Sequence, residues 1–411
     1  MFFDLCAPRQ TRVNNGATFD WLCQFDDACF AMSPFNDETQ HRLLAQKSSL
    51  DRLCDTPDKA KKYRAVRNAL YPLHPMKRQT GIKRTMYDRS RSNTTRAGCK
   101  LDDILTILFG SVGMPNAFTQ LQVGSPAFFL DVCGGPGAFT LVLMDRIRTH
   151  GLVPRGWGIT LATQSAASAV DWFHDLRMCT NFHPLEGGEF ENGDITNPVI
   201  IHAVVKHVIR TTDQLLLIVC DGGFELCDTD PSRENYQELY TMRLIFAQVA
   251  LALQTLGQHG TLICKFFNMI TWPIFELVVE LASCFRRTFV IKPTSSRAIN
   301  SERYLVCTDY VGFNSECVVP CVERLMYILS TWHVNCVPTA LFMAPMKAPV
   351  LFEYYGSQFV HSYQPMLQTP SNEQANCIGR IAHVLNTLTE CTYMRCIVCM
   401  IHPTLQTGKR L

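Results

Sequence analysis

Four ionisable residues, Lys100, Asp221, Lys265 and Glu302, stand in distinctive local sequences spread over half of the 411-residue chain. Two amines and two carboxylates can hold one another's charges and leave a lysine at the centre of a site. Between the first two lies Asp131-Val-Cys-Gly-Gly-Pro-Gly-Ala-Phe139, where a short apolar run, Ala127 to Val132, feeds a glycine-rich turn. Glycines there let the backbone turn sharply and approach a ligand closely. Pro136 to Thr149 then reads as a helix with its proline in the first turn, where a missing N–H does no harm. A strand, such a turn and a helix in that order suit a nucleoside cofactor.

The dinucleotide fingerprint G-x-G-x-x-G is not met, because Gly135-Pro-Gly137 supplies its first pair but Thr140 stands at the third position. Pro136 also removes an N–H that could donate to a pyrophosphate. Both departures count against NAD and leave room for a cofactor without phosphates, S-adenosylmethionine. Asp194, in Glu191-Asn-Gly-Asp-Ile-Thr196, falls on a turn where it could meet an adenine. Asp221, in Val219-Cys-Asp-Gly-Gly-Phe224, ends a strand at the carboxyl edge, where such sheets bind ligands. A lone Asp before Gly-Gly is by itself usually a turn residue.

Strands that position these residues are expected at Ala127–Val132, Gly156–Leu161, Leu215–Cys220, Gly260–Phe266, Thr288–Lys292 and Arg303–Thr308. Helices are expected at Leu101–Phe109, Pro136–Thr149, Gln164–Leu176, Pro198–Arg210, Arg233–Leu256 and Trp272–Phe285, with a further candidate over Asp37–Leu53. The alternation predicts an α/β fold, a mainly parallel sheet covered by helices on both faces. After about residue 325 the pattern weakens among prolines and tyrosines, including Tyr354, Tyr355 and Tyr363. We expect an N-terminal extension over 1–95, a central domain over 96–325 and a C-terminal extension over 326–411.

With 47% apolar residues the chain can bury a large core, yet no run reaches the roughly 18 uninterrupted apolar residues of a membrane helix. The start lacks a basic segment followed by an apolar one, so an intracellular protein is expected. Nineteen cysteines are scattered through apolar segments and read as reduced thiols. Cys391, Cys396, Cys399 and His402 have the residue types of a zinc site but no second well-spaced pair, and Cys391 and Cys399 could equally line the core face of a terminal helix. No metal is assigned. Lys59 to Lys100 holds thirteen Lys or Arg and one acid, a charge of +12 against +2 for the whole chain, so the remainder carries −10. Interleaved with Tyr63, Tyr71 and Tyr87, that segment suits phosphates and bases. It could also be a solvated helix followed by a basic loop.

Read together, five segments resemble the FtsJ-like (RrmJ-type) 2′-O-ribose methyltransferases, and within them the branch that modifies the first transcribed nucleotide of capped messenger RNA. They are Arg96-Ala-Gly-Cys-Lys100; the Asp131–Phe139 turn with Gly158-Ile-Thr-Leu161; Gly193-Asp-Ile-Thr196; Cys220-Asp-Gly-Gly-Phe224; and Ile263-Cys-Lys-Phe266 with Lys292-Pro-Thr-Ser-Ser-Arg-Ala-Ile-Asn-Ser-Glu-Arg-Tyr304. The resemblance implies a Rossmann-like methyltransferase fold with seven strands. It also implies a catalytic tetrad of Lys100, Asp221, Lys265 and Glu302, with Lys265 as the candidate base. S-adenosylmethionine would be held by Cys133, Gly134, Gly135, Pro136, Gly137, Ala138, Phe139, Asp194 and Ile195, and RNA by Asn235, Tyr236, Gln237 and Asn300. One departure is visible: Thr95 stands where the cap branch often has Asn. The implied partner is capped RNA, with other capping enzymes or an RNA polymerase beside it. The implied place is the nucleus or, for a viral protein, a replication site in the host cell. Methylation of an internal ribosomal or transfer RNA position and a non-catalytic RNA-binding subunit are the alternative readings.

Overall fold

The computed structural model describes residues 38–53, 57–70, 95–110, 118, 121–162, 171–212, 215–223, 237–269, 271–332, 371–372 and 374–383. The tail cysteines, His402 and the three tyrosines after 350 lie outside the described residues, as do Asn235 and Tyr236. No described helix is long and apolar enough to cross a membrane.

Seven strands form one sheet in the order β3-β2-β1-β4-β5-β7-β6. They are β1 (Pro126–Val132), β2 (Val153–Ile159), β3 (Phe182–Pro184), β4 (Leu215–Cys220), β5 (Thr261–Phe267), β6 (Phe285–Ile291) and β7 (Glu302–Tyr310). β7 runs antiparallel to β5 and β6, and the remaining pairs are parallel. Alternating side chains divide the core in two, as period-2 strands require. Phe129, Leu217, Val219, Tyr304 and Val306 point into one layer. Leu130, Val132, Ile218, Leu305 and Cys307 point into the other.

The first layer is closed by α3 (Arg96–Gly110), α4 (Ala138–Thr149) and the single turn α5 (His174–Arg177), through Leu101, Ile104, Phe139, Leu143 and Leu176. The second is closed by α6 (Pro198–Thr211), α7 (Gln237–Thr255), α8 (Trp272–Cys284) and α9 (Val318–Thr331). The fold is the Rossmann-like α/β architecture expected from the sequence. Two consequences follow from strand order. The crevice opens where the order reverses, between β1 and β4, at their carboxyl ends. Because β7 is antiparallel, it starts at the edge where β5 ends, and Glu302 pairs with Phe267.

Three expectations change. The helix read over Gln164–Leu176 keeps, in its described part, one turn at His174–Arg177. The strand β3 and the helix α9 have no counterpart among the expected elements; three residues are too few to show alternation. Pro136 lies in the turn rather than the helix, which starts at Ala138 after Gly137 adopts φ 106°, a left-handed conformation that glycine takes without steric cost.

The two flanks meet each other. Helices α1 (Glu38–Leu53) and α2 (Pro57–Leu70) and the helix at 374–383, α10, share a third cluster built from Leu43, Leu50, Tyr63, Val66, Ile378 and Ile381. Ile299, from the loop between β6 and β7, completes it. A buried polar seam ties this layer to the sheet: Lys47 donates to Asn268 Oδ1 at 3.1 Å. Arg303 donates to the Asn268 carbonyl at 2.7 Å and to Ser371 Oγ at 2.9 Å. Ile381→Ala should therefore destabilise the whole fold by about 2–5 kcal/mol, as core truncations do. Urea unfolding followed by tryptophan fluorescence checks it; a separate early transition with the main one unmoved would mean the flanking layer melts independently.

Candidate active site

Lys100 sits in the second turn of α3, further inside a helix than the sequence suggests, because Thr95 starts that helix early. The Thr95 hydroxyl accepts the Gly98 N–H at 3.0 Å, an N-cap interaction for which Asn and Thr are both suited. The departure at Thr95 thus has a structural role. From α3, the Lys100 ammonium reaches Glu302 Oε2 at 2.7 Å. The other Glu302 oxygen accepts Ser296 Oγ–H at 3.1 Å. Burial alone would raise the Glu302 carboxyl, but Lys100, Lys265 and Lys292 together hold it below the usual range.

Lys265, near the carboxyl end of β5, donates to the Asp221 carbonyl at 2.6 Å and lies 3.1 Å from Asp221 Oδ1. That carboxylate oxygen also accepts the Tyr304 hydroxyl at 2.8 Å. Burial pushes the Lys265 ammonium down, yet Asp221 and Glu302 outweigh it and the net shift is upward. The four predicted residues are therefore one charge-paired group at the junction of β4, β5, β7 and α3. Close packing explains the glycines after Asp221. A Cβ on Gly222 would stand 2.4 Å from Gln248 Oε1, which accepts the Gly222 N–H at 2.9 Å. One on Gly223 would stand 3.1 Å from Lys265 Nζ.

The glycine turn lies next to this group. Asp221 N–H donates to the Val132 carbonyl at 3.3 Å, joining the ends of β4 and β1. Cys133, Gly135 and Pro136 are partly exposed on the turn, whereas Gly134, Gly137, Ala138 and Phe139 are buried. Cys133 feels the charges of Lys265, Asp131 and Asp194, which places all three around the turn. Asp194 Oδ1 accepts from Thr196 N–H and Oγ–H, and the Ile195 side chain is buried in the core, so Ile195 offers the crevice its backbone. Asp194 and Asp221 stand on this side, with Arg243 and Lys265 as their cationic neighbours, and Asp131 is buried behind it. Two carboxylates there suit a phosphate-free, positively charged cofactor better than a pyrophosphate.

Of the expected RNA contacts, Gln237 uses its side-chain oxygen to accept Ser301 Oγ–H at 3.0 Å. Asn300 is exposed on the loop before Glu302. Several supporting residues were not singled out from sequence. Lys292 donates to the carbonyls of Asn300 and Glu302 at 2.6 and 2.7 Å. Asp103, one turn beyond Lys100, accepts from Thr294 Oγ and the Ser295 N–H at 2.7 and 2.8 Å, tying that loop to α3. The sequence signal for Gln248 is an amide inside an apolar helix. For Ser296, Lys292 and Tyr304 it is membership of the Lys292–Tyr304 segment.

Behind the turn, Asp131 is wholly buried, and Thr140 donates both its N–H and its hydroxyl to Oδ2 at 3.0 and 2.7 Å. Oδ1 has no hydrogen-bond partner. Burial, opposed by Thr140 and aided by Asp221, pushes the carboxyl up from 3.8 to about 7. A carboxyl raised on folding binds its proton more tightly in the folded chain, so stability is lost as pH climbs from about 4 to about 7. Asp131→Asn should remove that loss. Its melting temperature relative to the unaltered chain should rise between pH 4 and pH 8, and a constant difference would mean that Asp131 ionises freely.

Residues 94–310 match the FtsJ-like methyltransferase family. A "cap-specific mRNA (nucleoside-2'-O-)-methyltransferase 1" from Leishmania braziliensis is 32% identical over 349 residues, covering 80% of this chain and 77% of that protein. The protein of the same name from Trypanosoma cruzi (strain CL Brener) is 33% identical over 283 residues, 69% of this chain and 71% of its own length. The Homo sapiens protein of that name is 35% identical over 182 residues, 44% of this chain and 21% of its own. The matched region contains the turn and all four members of the charge-paired group, and the chain belongs to the FtsJ-like methyltransferases.

Proposed function

We propose that this chain transfers the methyl group of S-adenosylmethionine to the ribose 2′-hydroxyl of the first transcribed nucleotide of capped RNA. The observation that carries the reading is the meeting of two lysine–carboxylate pairs beside the glycine turn, Lys265 with Asp221 and Lys100 with Glu302. The cap as substrate is supported by the names of the relatives and by a match that extends over 80% of the chain, well beyond the family region.

S-adenosylmethionine supplies, when bound, an electrophilic methyl group on a positively charged sulfonium. The Cys133–Phe139 turn with the Asp194–Ile195 backbone would hold it, with the Asp194 and Asp221 carboxylates near its charge. A ribose hydroxyl is a weak nucleophile, and Lys265 is placed to accept its proton. As an ammonium bonded to Asp221 it cannot do so; it must first become the amine. Positive charge arriving in the crevice offsets Asp221 and Glu302, leaving burial to pull the Lys265 pKa down. Lys100, held by Glu302, would help to fix the ribose beside Lys265. Holding the reacting groups in line removes much of the entropic barrier.

Labelled methyl transfer to a short RNA bearing an N7-methylguanosine cap tests the reading. Incorporation should require the cap and an unmodified first ribose, and equal incorporation into uncapped RNA would transfer the activity to an internal position. Lys265→Ala should lower the rate by about 100-fold or more. Lys265→Arg should fall as far, because a guanidinium does not deprotonate; activity retained by the arginine variant would make Lys265 a fixed cation rather than a base.

A further inference from the structure

The loop from Lys292 to Ser301 lies at the carboxyl edge of the sheet, since it ends at Glu302 where antiparallel β7 begins beside the end of β5. Helix α2 packs on that loop. Its inner face, Tyr63 and Val66, shares a core with Ile299, and Asn68 Oδ1 accepts from Arg297 at 3.3 Å. The outer face of α2 is exposed at Lys59, Lys61 and Lys62, with Arg64 and Arg67 half-buried at its margin and Asp58 its one acid. The basic face is thus anchored beside the stretch that carries Asn300 and Glu302. Its anchor is rigid as well as apolar, because the flanking layer is pinned to the sheet by Lys47, Asn268, Arg303 and Ser371, all buried.

Positive charge around the crevice is concentrated on one side. Near the glycine turn Asp221 and Asp194 are offset by Lys265 and Arg243, whereas towards β6, β7 and the flanking layer Lys100, Lys292, Arg297 and the α2 cations outnumber Glu302, Asp103 and Asp58. A polyanion reaching the tetrad is attracted on that second side. We infer that the outer face of α2 binds backbone phosphates of the substrate RNA downstream of the methylated nucleotide, so that the flanking layer forms the wall along which the RNA leaves the active site. The inference rests on the proposed RNA methyltransferase reading and adds to it a track that acts through chain length rather than through the cap.

The test compares the 411-residue chain with its Lys61→Glu/Lys62→Glu double variant on two capped RNAs, one with two nucleotides after the cap and one with twenty. Both lysines are exposed and outside the tetrad, and unchanged thermal melting confirms the fold. For the long RNA, KM should rise by about 5- to 20-fold at low salt with kcat unchanged, and the slope of log affinity against log salt should shrink by about two, one for each phosphate no longer neutralised. The short RNA should be methylated with unchanged KM and kcat. Equal effects on both RNAs, or on neither, would overturn the inference, and an altered kcat would place α2 in the chemistry instead. Fluorescence anisotropy with an uncapped twenty-nucleotide RNA keeps the two readings apart. Loss of binding in the variant supports the track even if the protein methylates neither capped RNA, and undiminished binding refutes the track even if both are methylated.

Discussion

Four buried or half-buried charges at one sheet edge set the terms for everything around them. An ammonium or a carboxylate taken out of water must have a counter-charge and hydrogen bonds, or it neutralises. Lys265 meets that condition through Asp221, Glu302 through Lys100; the first pair closes because β4 and β5 end side by side, the second because α3 and β7 both begin at that edge. The antiparallel β7 is what makes this possible. A seventh strand running parallel would start Glu302 at the far edge of the sheet, out of reach of Lys265. Much of the surrounding detail serves that junction. Gly222 and Gly223 leave room for Gln248 and Lys265, Tyr304 steadies Asp221, and Ser296 occupies the second oxygen of Glu302.

The pairing also holds the lysine in the wrong protonation state for accepting a proton. With Asp221 and Glu302 near it, Lys265 is an ammonium, and its pKa is raised although burial opposes that. A site built in this way rests in its charged, well-packed form and is freed when further positive charge enters the crevice. An excess of positive charge stands on the flank side, where Lys100, Lys292, Arg297 and the α2 lysines outnumber Glu302 and Asp103, and an excess of one sign along a cleft attracts the opposite one.

How much of this was legible in the sequence depended on the length over which each signal was spread. Leu215–Cys220 and the strand ending at Val132 are continuous apolar runs bounded by turn residues, and both fall where they were expected. β3 is three residues long, too short to show any period, and its place comes from pairing with β2. The four tetrad residues could be picked out because each sits in distinctive local wording, although no periodicity brings residues so distant in sequence together. Gln248 and Asp103 escaped notice for the converse reason. Their neighbours are ordinary helix residues, and their role exists only once a turn or loop from elsewhere in the chain docks against them. Thr95 looked like an irregularity until the helix it caps was seen to start there.

The flanks pose the same problem on a larger scale. Residues 38–70 show one weak helical pattern and a basic run, and nothing in their spacing says that they belong with residues 371–383. What unites them is an apolar surface offered by Ile299 and a polar seam at Asn268 and Arg303, the residues beside the tetrad's own strand ends. A fully buried Arg303 adjacent to Glu302 is costly unless its hydrogen bonds are supplied, and Ser371 from the C-terminal flank supplies one of them. Removing that flank would take away the Ser371 bond and open the guanidinium, on the face of β7 opposite Glu302, to water. The flanking layer is thereby joined, through Lys47, Asn268, Arg303 and Ser371, to the two strand ends that carry Lys265 and Glu302.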